Sequence, residues 1–256
     1  MQFKLGRNRP PAGRKKLHLR NYLMAELPTQ PPSCSYVPRA TGPLSQVYLN
    51  DRLRDCVIAC MARLVGLFTG NAGAPPVQFT PAQIIALYSA IGGYVSGDES
   101  TDNGCDEQSA LAYWQATGAP PGANKIAAWV AVDGTKPAEY RAAMWLFENL
   151  VFGVELPDDW ISPFPSAPGF VWDVAGDPDP DNGHCFCGVG YTESGVLIDT
   201  WGMVGTVTDA AILKYAAAPG GGELYTVLSP EIIARATAKA PNGYDWGQLQ
   251  ADFAAL

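Results

Sequence analysis

The hydrophobic pattern of this chain changes its period near residue 120, and that switch limits the possible folds more than any other feature. Before it, apolar residues recur at helical spacing. Cys56, Val57, Cys60, Leu64 and Leu67 share one face of a helix that begins at Asp55 or Cys56. After a loop at 69–76, Thr80 caps a second helix, with Pro81 at its first position and Ile84, Ile85, Leu87 and Tyr88 inside, ended by Gly92-Gly93. A polar loop at 96–104 leads to a third helix over 106–117, opened by acidic residues and closed by Gly118. Beyond residue 120, runs at 126–132 and 151–156 read as strands around a helix at 137–149. A loop rich in Pro, Asp and Gly fills 157–183. Strands follow at 185–191, 196–200, 203–208 and 223–228, with hairpin turn chemistry at Glu193-Ser194-Gly195. The tail after Ser229 reads as two short helices. The layout is α+β with two lobes, helical over 46–120 and antiparallel β over 121–228, with a tail over 229–256. A cleft between such lobes is a natural site.

Residues 1–45 carry Pro10, Pro11, Pro28, Pro31, Pro32, Pro38 and Pro43, so they read as an extended arm with one short helical stretch at 17–27. Residues 1–20 hold seven of the 17 Lys and Arg and no Asp or Glu, whereas the body carries 25 acidic groups. A basic arm on an acidic body can bind nucleic acid, an acidic partner or assembly subunit, or its own body. The acidic body argues against a nucleic-acid-binding core. Six cysteines in 256 residues are too few for a disulfide scaffold. No apolar run approaches the ~18 residues of a membrane span. The N-terminus lacks the apolar stretch of a secretory signal. The expectation is a protein kept in the cytoplasm, or in a particle assembled there, with no membrane partner.

Four residues carry candidate chemistry. Cys56 opens a helix, where the backbone N–H groups and the dipole favour a thiolate nucleophile. Cys60, one turn on, suits a buried thiol better. Of the two histidines, His18 lies in the basic arm and reads as a surface residue. His184 stands directly before the apolar run from Cys185 to Tyr191, at the start of a strand, where it can serve as a base or as a satisfied structural residue. Asn50, six residues before Cys56, can offer its amide to an oxyanion, or can simply satisfy a turn. Asp199 ends the strand that pairs with the one after His184, so it can accept from the imidazole, with Trp201 as a shield; its bland alternative is a turn before Trp-Gly. A zinc site built from Cys56, Cys60, Cys185, Cys187 and His184 can also be drawn, but strand alternation puts Cys185 and Cys187 on the face opposite His184.

The order Asn50, Cys56, Gly183-His184 and Asp199-Thr-Trp201-Gly202 resembles the papain superfamily, over roughly residues 45–228. That family has an amide residue six before its nucleophilic Cys, a Gly-His pair opening a strand, and an Asn-Ser-Trp-Gly segment some fifteen residues on. Arg54-Asp55-Cys56 is similar to the double-glycine leader peptidases of the same clan, which use Asp in the third role. Asn103-Gly104-Cys105 is loosely similar to the Gly-Cys segment of papain. The pattern also resembles uncharacterised proteins of bacteria and their phages. The resemblance implies a two-lobed fold and a cysteine hydrolase acting on a peptide or protein, with Cys56 as nucleophile, His184 as base, Asp199 orienting it and Asn50 at the oxyanion, and with no cofactor. Departures are Asn50 for Gln, Asp199 for Asn, no Trp after Cys56, and Arg54 where small residues are usual. The competing expectation is a non-catalytic scaffold of this fold, for example a phage particle component docked through its basic arm.

Overall fold

The computed structural model describes residues 3–255 other than 25, 26, 28 and 121. Its helical half begins with β1 (Cys34–Ser35) and α1 (Thr41–Leu44), followed by α2 (Cys56–Asn71), α3 (Pro81–Gly92) and α4 (Glu107–Ala116). α2 is buried along nearly its whole length, as its almost unbroken apolar sequence requires. α3 starts on the expected signal: Thr80 accepts from the Gln83 N–H, and the Gln83 side chain returns a bond to the Thr80 N–H.

The second half supplies β2 (Ala128–Ala131), α5 (Pro137–Phe147), β3 (Leu150–Glu155), β4 (Val171–Trp172), β5 (Gly183–Thr192), β6 (Gly195–Thr200), β7 (Met203–Val207), α6 (Asp209–Tyr215) and β8 (Glu223–Leu228). The tail forms α7 (Pro230–Lys239) and α8 (Trp246–Ala254). The strands make one sheet in the order β2-β8-β3-β5-β6-β7-β4, with β1 paired to β5. All pairings are antiparallel except β4 with β7. The molecule is α+β and two-lobed, and β5 at the middle of the sheet is where the lobes meet.

The period-2 alternation of β5 decides what each lobe sees. Cys185 and Cys187 face α2, where their thiols meet Cys60. His184, Phe186 and Gly188 point to the other face. There Phe152 stacks on Phe186, and Met144 of α5 fills the place a Gly188 side chain would take. The tail closes over α5: Glu148, just past its end, binds Arg235 and Lys239 of α7.

The short helical stretch expected at 17–27 is present, among the described residues, as a single 3-10 turn at Leu19–Asn21. His18 bridges Ala131 at the sheet edge and Leu23 bridges Tyr244, so the backbone is committed outward. Ala25 and Glu26 lie outside the described residues. One expectation needs correction: the loop at 157–183 is not free of structure, because β4 lies within it and joins the sheet.

Candidate active site

Cys56 is the first residue of α2, with Asp55 as its N-cap, and both are fully buried. The backbone N–H groups of Cys185 and Gly6 face the Cys56 sulfur. The sulfur therefore lies against the first peptide units of β5, at the residue after His184 in the chain, at the junction of the lobes. Burial pushes the thiol up to about 12; the two N–H groups oppose this, and the carboxylates of Glu107 and Asp55 add to it. The free thiol, not the thiolate, is the resting form.

Gly6 belongs to the N-terminal arm, which runs through the space beside Cys56. Lys4 and Asn50 bind each other through N–H to carbonyl (2.9 Å) and through the Asn50 Nδ2 to the Lys4 carbonyl (3.1 Å). The Cys105 N–H donates to the Gly6 carbonyl (3.1 Å) and the Asn8 N–H to the Cys105 carbonyl (3.0 Å). On the opposite wall, the Arg7 N–H donates to the Gly183 carbonyl (3.0 Å). A Cβ at either Gly104 or Gly183 would collide with the arm backbone, so these two positions must stay bare for an extended chain to pass. The arm's cations also fold back: Arg7, Arg9, Arg14, Lys16 and Arg20 all pair with carboxylates of the body. Asn50, expected at an oxyanion, thus gives its amide to a carbonyl of the chain itself, and its second bond goes to the Leu53 carbonyl.

His184 is completely buried. Its Nε2 lies 2.7 Å from the Thr200 Oγ1, and its ring stacks on Trp201 at 4.5 Å. The opposite face of this stack involves the arm, since Phe3 lies parallel to Trp201 at 4.8 Å. Nδ1 has no hydrogen-bond partner, so no hydrogen bond joins it to Cys56. Burial, with Arg63 nearby, holds the imidazole down at about 3, so it is neutral. Trp201 adopts a left-handed backbone (φ 52°), as do Tyr48 and Leu49 just before Asn50. Such conformations cost roughly 1–3 kcal/mol each and gather at sites that need a fixed geometry.

Asp199 does not take the role its position suggests. Its partner is Arg63 of α2, with Nε 2.7 Å from Oδ1, a charge contact without directed hydrogen-bond geometry. The register explains this: Asp199 is opposite Cys187, so its side chain shares the α2 face, while Thr200 shares the His184 face. Burial pushes the Asp199 carboxyl up to about 7, against the pull of Arg63. Arg63 also donates to the Gln46 carbonyl at 2.8 Å. Among the described residues, no three His, Cys, Asp or Glu side chains are placed to hold a metal ion.

Solved structures share this architecture. Xylellain, a cysteine protease from Xylella fastidiosa, superposes with a TM-score of 0.64 at 15% identity, over 89% of this chain and 97% of that one. The fold is papain-like. Procathepsin L 3 of Tenebrio molitor larval midgut matches with a TM-score of 0.57 at 10% identity, over 84% of this chain and 75% of its own. The ragweed pollen cysteine protease Amb a 11 in its proform gives 0.56 at 12%, over 80% and 68%. No family model matches the chain, and no curated protein matches its sequence.

Four residues that shape this site were not singled out by the sequence. Arg63 carried a signal, as the one charge inside the apolar run from Cys56 to Phe68. Thr200 was passed over because Asp199 beside it is chemically louder. Phe3 and Arg7 carried none, because extended segments have no periodicity to read.

Proposed function

We propose that the chain is a cysteine hydrolase, most simply a peptidase, captured in a latent state with its own N-terminal segment in the cleft. The observation that carries this reading is the position of the Cys56 sulfur, at a helix N-terminus and facing the Cys185 N–H beside His184, in a papain-like fold. Two of the fold neighbours are proforms, and in this chain the N-terminal arm lies against Cys56.

In the closed state the chemistry is switched off by desolvation. A buried neutral imidazole and a protonated thiol are both favoured over the ion pair. Departure of residues 3–9 admits water, lowers the thiol and raises the imidazole. Nδ1 is then the ring nitrogen left for the Cys56 proton, while Thr200 holds Nε2 and Trp201 holds the plane. The thiolate attacks an amide or ester carbonyl. The imidazolium gives its proton to the leaving group, and the neutral ring then activates water to release the acyl-enzyme. The Asn50 amide, which now binds the Lys4 carbonyl, becomes available to the oxyanion. Asp199 acts through Arg63 on the seat of α2 rather than on the imidazole.

The test is controlled nicking. Residues 11–15 are exposed and contain Arg14 and Lys15, so brief trypsin treatment should cut there and free the preceding segment. Hydrolysis of peptide amides should then appear and be absent from Cys56→Ala treated in the same way. Failure of the nicked protein to show any Cys56-dependent turnover favours the second reading, a non-catalytic scaffold, which the Arg63–Asp199 pairing already gives a physical basis.

A further inference from the structure

We propose that the pocket holding Arg7 is the specificity subsite of this cleft and that it selects substrates with an arginine close to the attacked carbonyl. The inference rests on the hydrolase reading for the word substrate, and on the geometry of Arg7 for the rest.

Arg7 sits in the segment that crosses the cleft, one residue from the Gly6 N–H that faces the Cys56 sulfur. Its backbone is held by both walls, through Gly183 on one side and the bridge to Cys105 on the other. An extended peptide replacing the arm meets the same wall groups and puts a side chain where Arg7 now goes.

That place is built for a guanidinium. Nε lies 3.2 and 3.3 Å from the two Glu107 carboxylate oxygens, Nη1 donates to the Gly221 carbonyl at 3.1 Å, and Nη2 lies 3.6 Å from Glu223. Three directions of the planar fork are used, which a lysine ammonium cannot reproduce. Both Arg7 and Glu107 are buried. Burial raises Glu107 to about 7, with Arg7 as the main opposing influence. Gly153 of β3 is the floor: any Cβ there would run into the Glu107 carboxylate. Backbone, bare glycine and two acids from separate elements converge on one cation. With residues 3–9 gone, Glu107 loses its cation and Glu223 keeps Lys16, so the buried Glu107 carboxyl must take up a proton or another cation, and a guanidinium in the same place meets both acids. An arm that merely covered the cleft could do so with any side chain; this one presents the residue the walls are shaped to accept.

The test uses the full-length Arg7→Ala protein. N-ethylguanidinium at millimolar concentration should raise its unfolding midpoint by on the order of a few degrees. Neutral N-ethylurea should not, and neither compound should shift the wild type. Adding Glu107→Gln and Glu223→Gln should erase the rise. In Arg7→Ala nicked with trypsin as above, peptidyl thiol-alkylating probes with Arg at the residue that pairs with Cys105 should label Cys56 about tenfold or more faster than Leu probes. That preference should vanish in the same acid double variant. If Arg7→Ala yields no folded protein, Arg7→Met, which keeps the length and drops the charge, carries the same readings. An absent rise, a rise that survives loss of both acids, or equal labelling by Arg and Leu probes overturns the subsite. A rise that depends on both acids, alongside a Cys56 that stays inert to every probe after nicking, upholds the pocket and refutes the hydrolase reading instead.

Discussion

Arg63 in the middle of α2 holds Asp199 at the end of β6, with Nε 2.7 Å from Oδ1 and both side chains out of solvent. This contact fastens the helix that carries Cys56 to the strand pair that carries His184. It also removes the carboxylate from the imidazole and leaves Thr200 as the polar neighbour of Nε2. Removing one partner of a buried ion pair typically costs about 3–5 kcal/mol. Arg63→Met should therefore destabilise the fold by roughly that amount, and adding Asp199→Leu should recover a good part of it. Urea melts of the two single variants and the double variant measure the coupling. Additive losses would mean the pair is not coupled.

Thr200→Val removes the hydroxyl that holds His184 Nε2 and leaves the ring with no partner on either nitrogen. The structural cost should be about 1–3 kcal/mol. Turnover by the nicked protein should fall further in Thr200→Val than in Asp199→Asn, and Thr200→Ser should restore most of it. A larger loss from Asp199→Asn would return the orienting role to the carboxylate.

The buried imidazole makes an acid-side prediction with a definite sign. His184 is held at about 3 in the folded state, well below the 6.5 of a free imidazole side chain. Between those values the unfolded chain binds more protons than the folded one, so this residue's contribution to stability falls as pH drops from about 6.5 toward 3. The stability difference between wild type and His184→Gln should shrink over that window. A difference that does not change with pH would show that the ring is solvated.

The thiol makes the complementary prediction on the alkaline side. Iodoacetamide should modify Cys56 of the intact chain very slowly at neutral pH, with the rate climbing toward the raised value of about 12. Phe3→Ala breaks the stack of the arm on Trp201 and should move that rate profile to lower pH. Mass mapping of the labelled peptides gives the site. Faster reaction at Cys60, Cys105, Cys185 or Cys187 would argue against a special environment at Cys56.

The order of elements was legible wherever periodicity and caps agreed. α3 and α4 lie within a residue or two of their expected bounds, because Thr80-Pro81, Asp106 and the flanking glycines act locally, whereas α2 starts where expected but runs to Asn71, three residues into its expected loop. The strands from β5 to β8 were equally clear from turn chemistry. The site was less so. Strand alternation correctly separated His184 from Cys185 and Cys187, yet the same rule applied to Asp199 and Thr200 points only Thr200 toward the ring. α6 carried a signal in Thr208, which caps it, but the segment is short. The course of residues 3–9 through the cleft depends on wall groups 46 to over 200 residues away, and no local pattern encodes such partners.

The segment in the cleft is continuous with the body through the exposed residues 11–15, and this sets how its occupancy responds to concentration. While the connection is whole, rebinding is intramolecular, at an effective concentration on the order of millimolar for a short tether. Occupancy is then the same in a dilute and a crowded solution. Once the connection is cut, the same contacts must compete with diffusion, so the released fragment acts as an ordinary inhibitor whose hold weakens on dilution. A single peptide bond in that connector therefore decides whether the cleft is governed by geometry or by mass action.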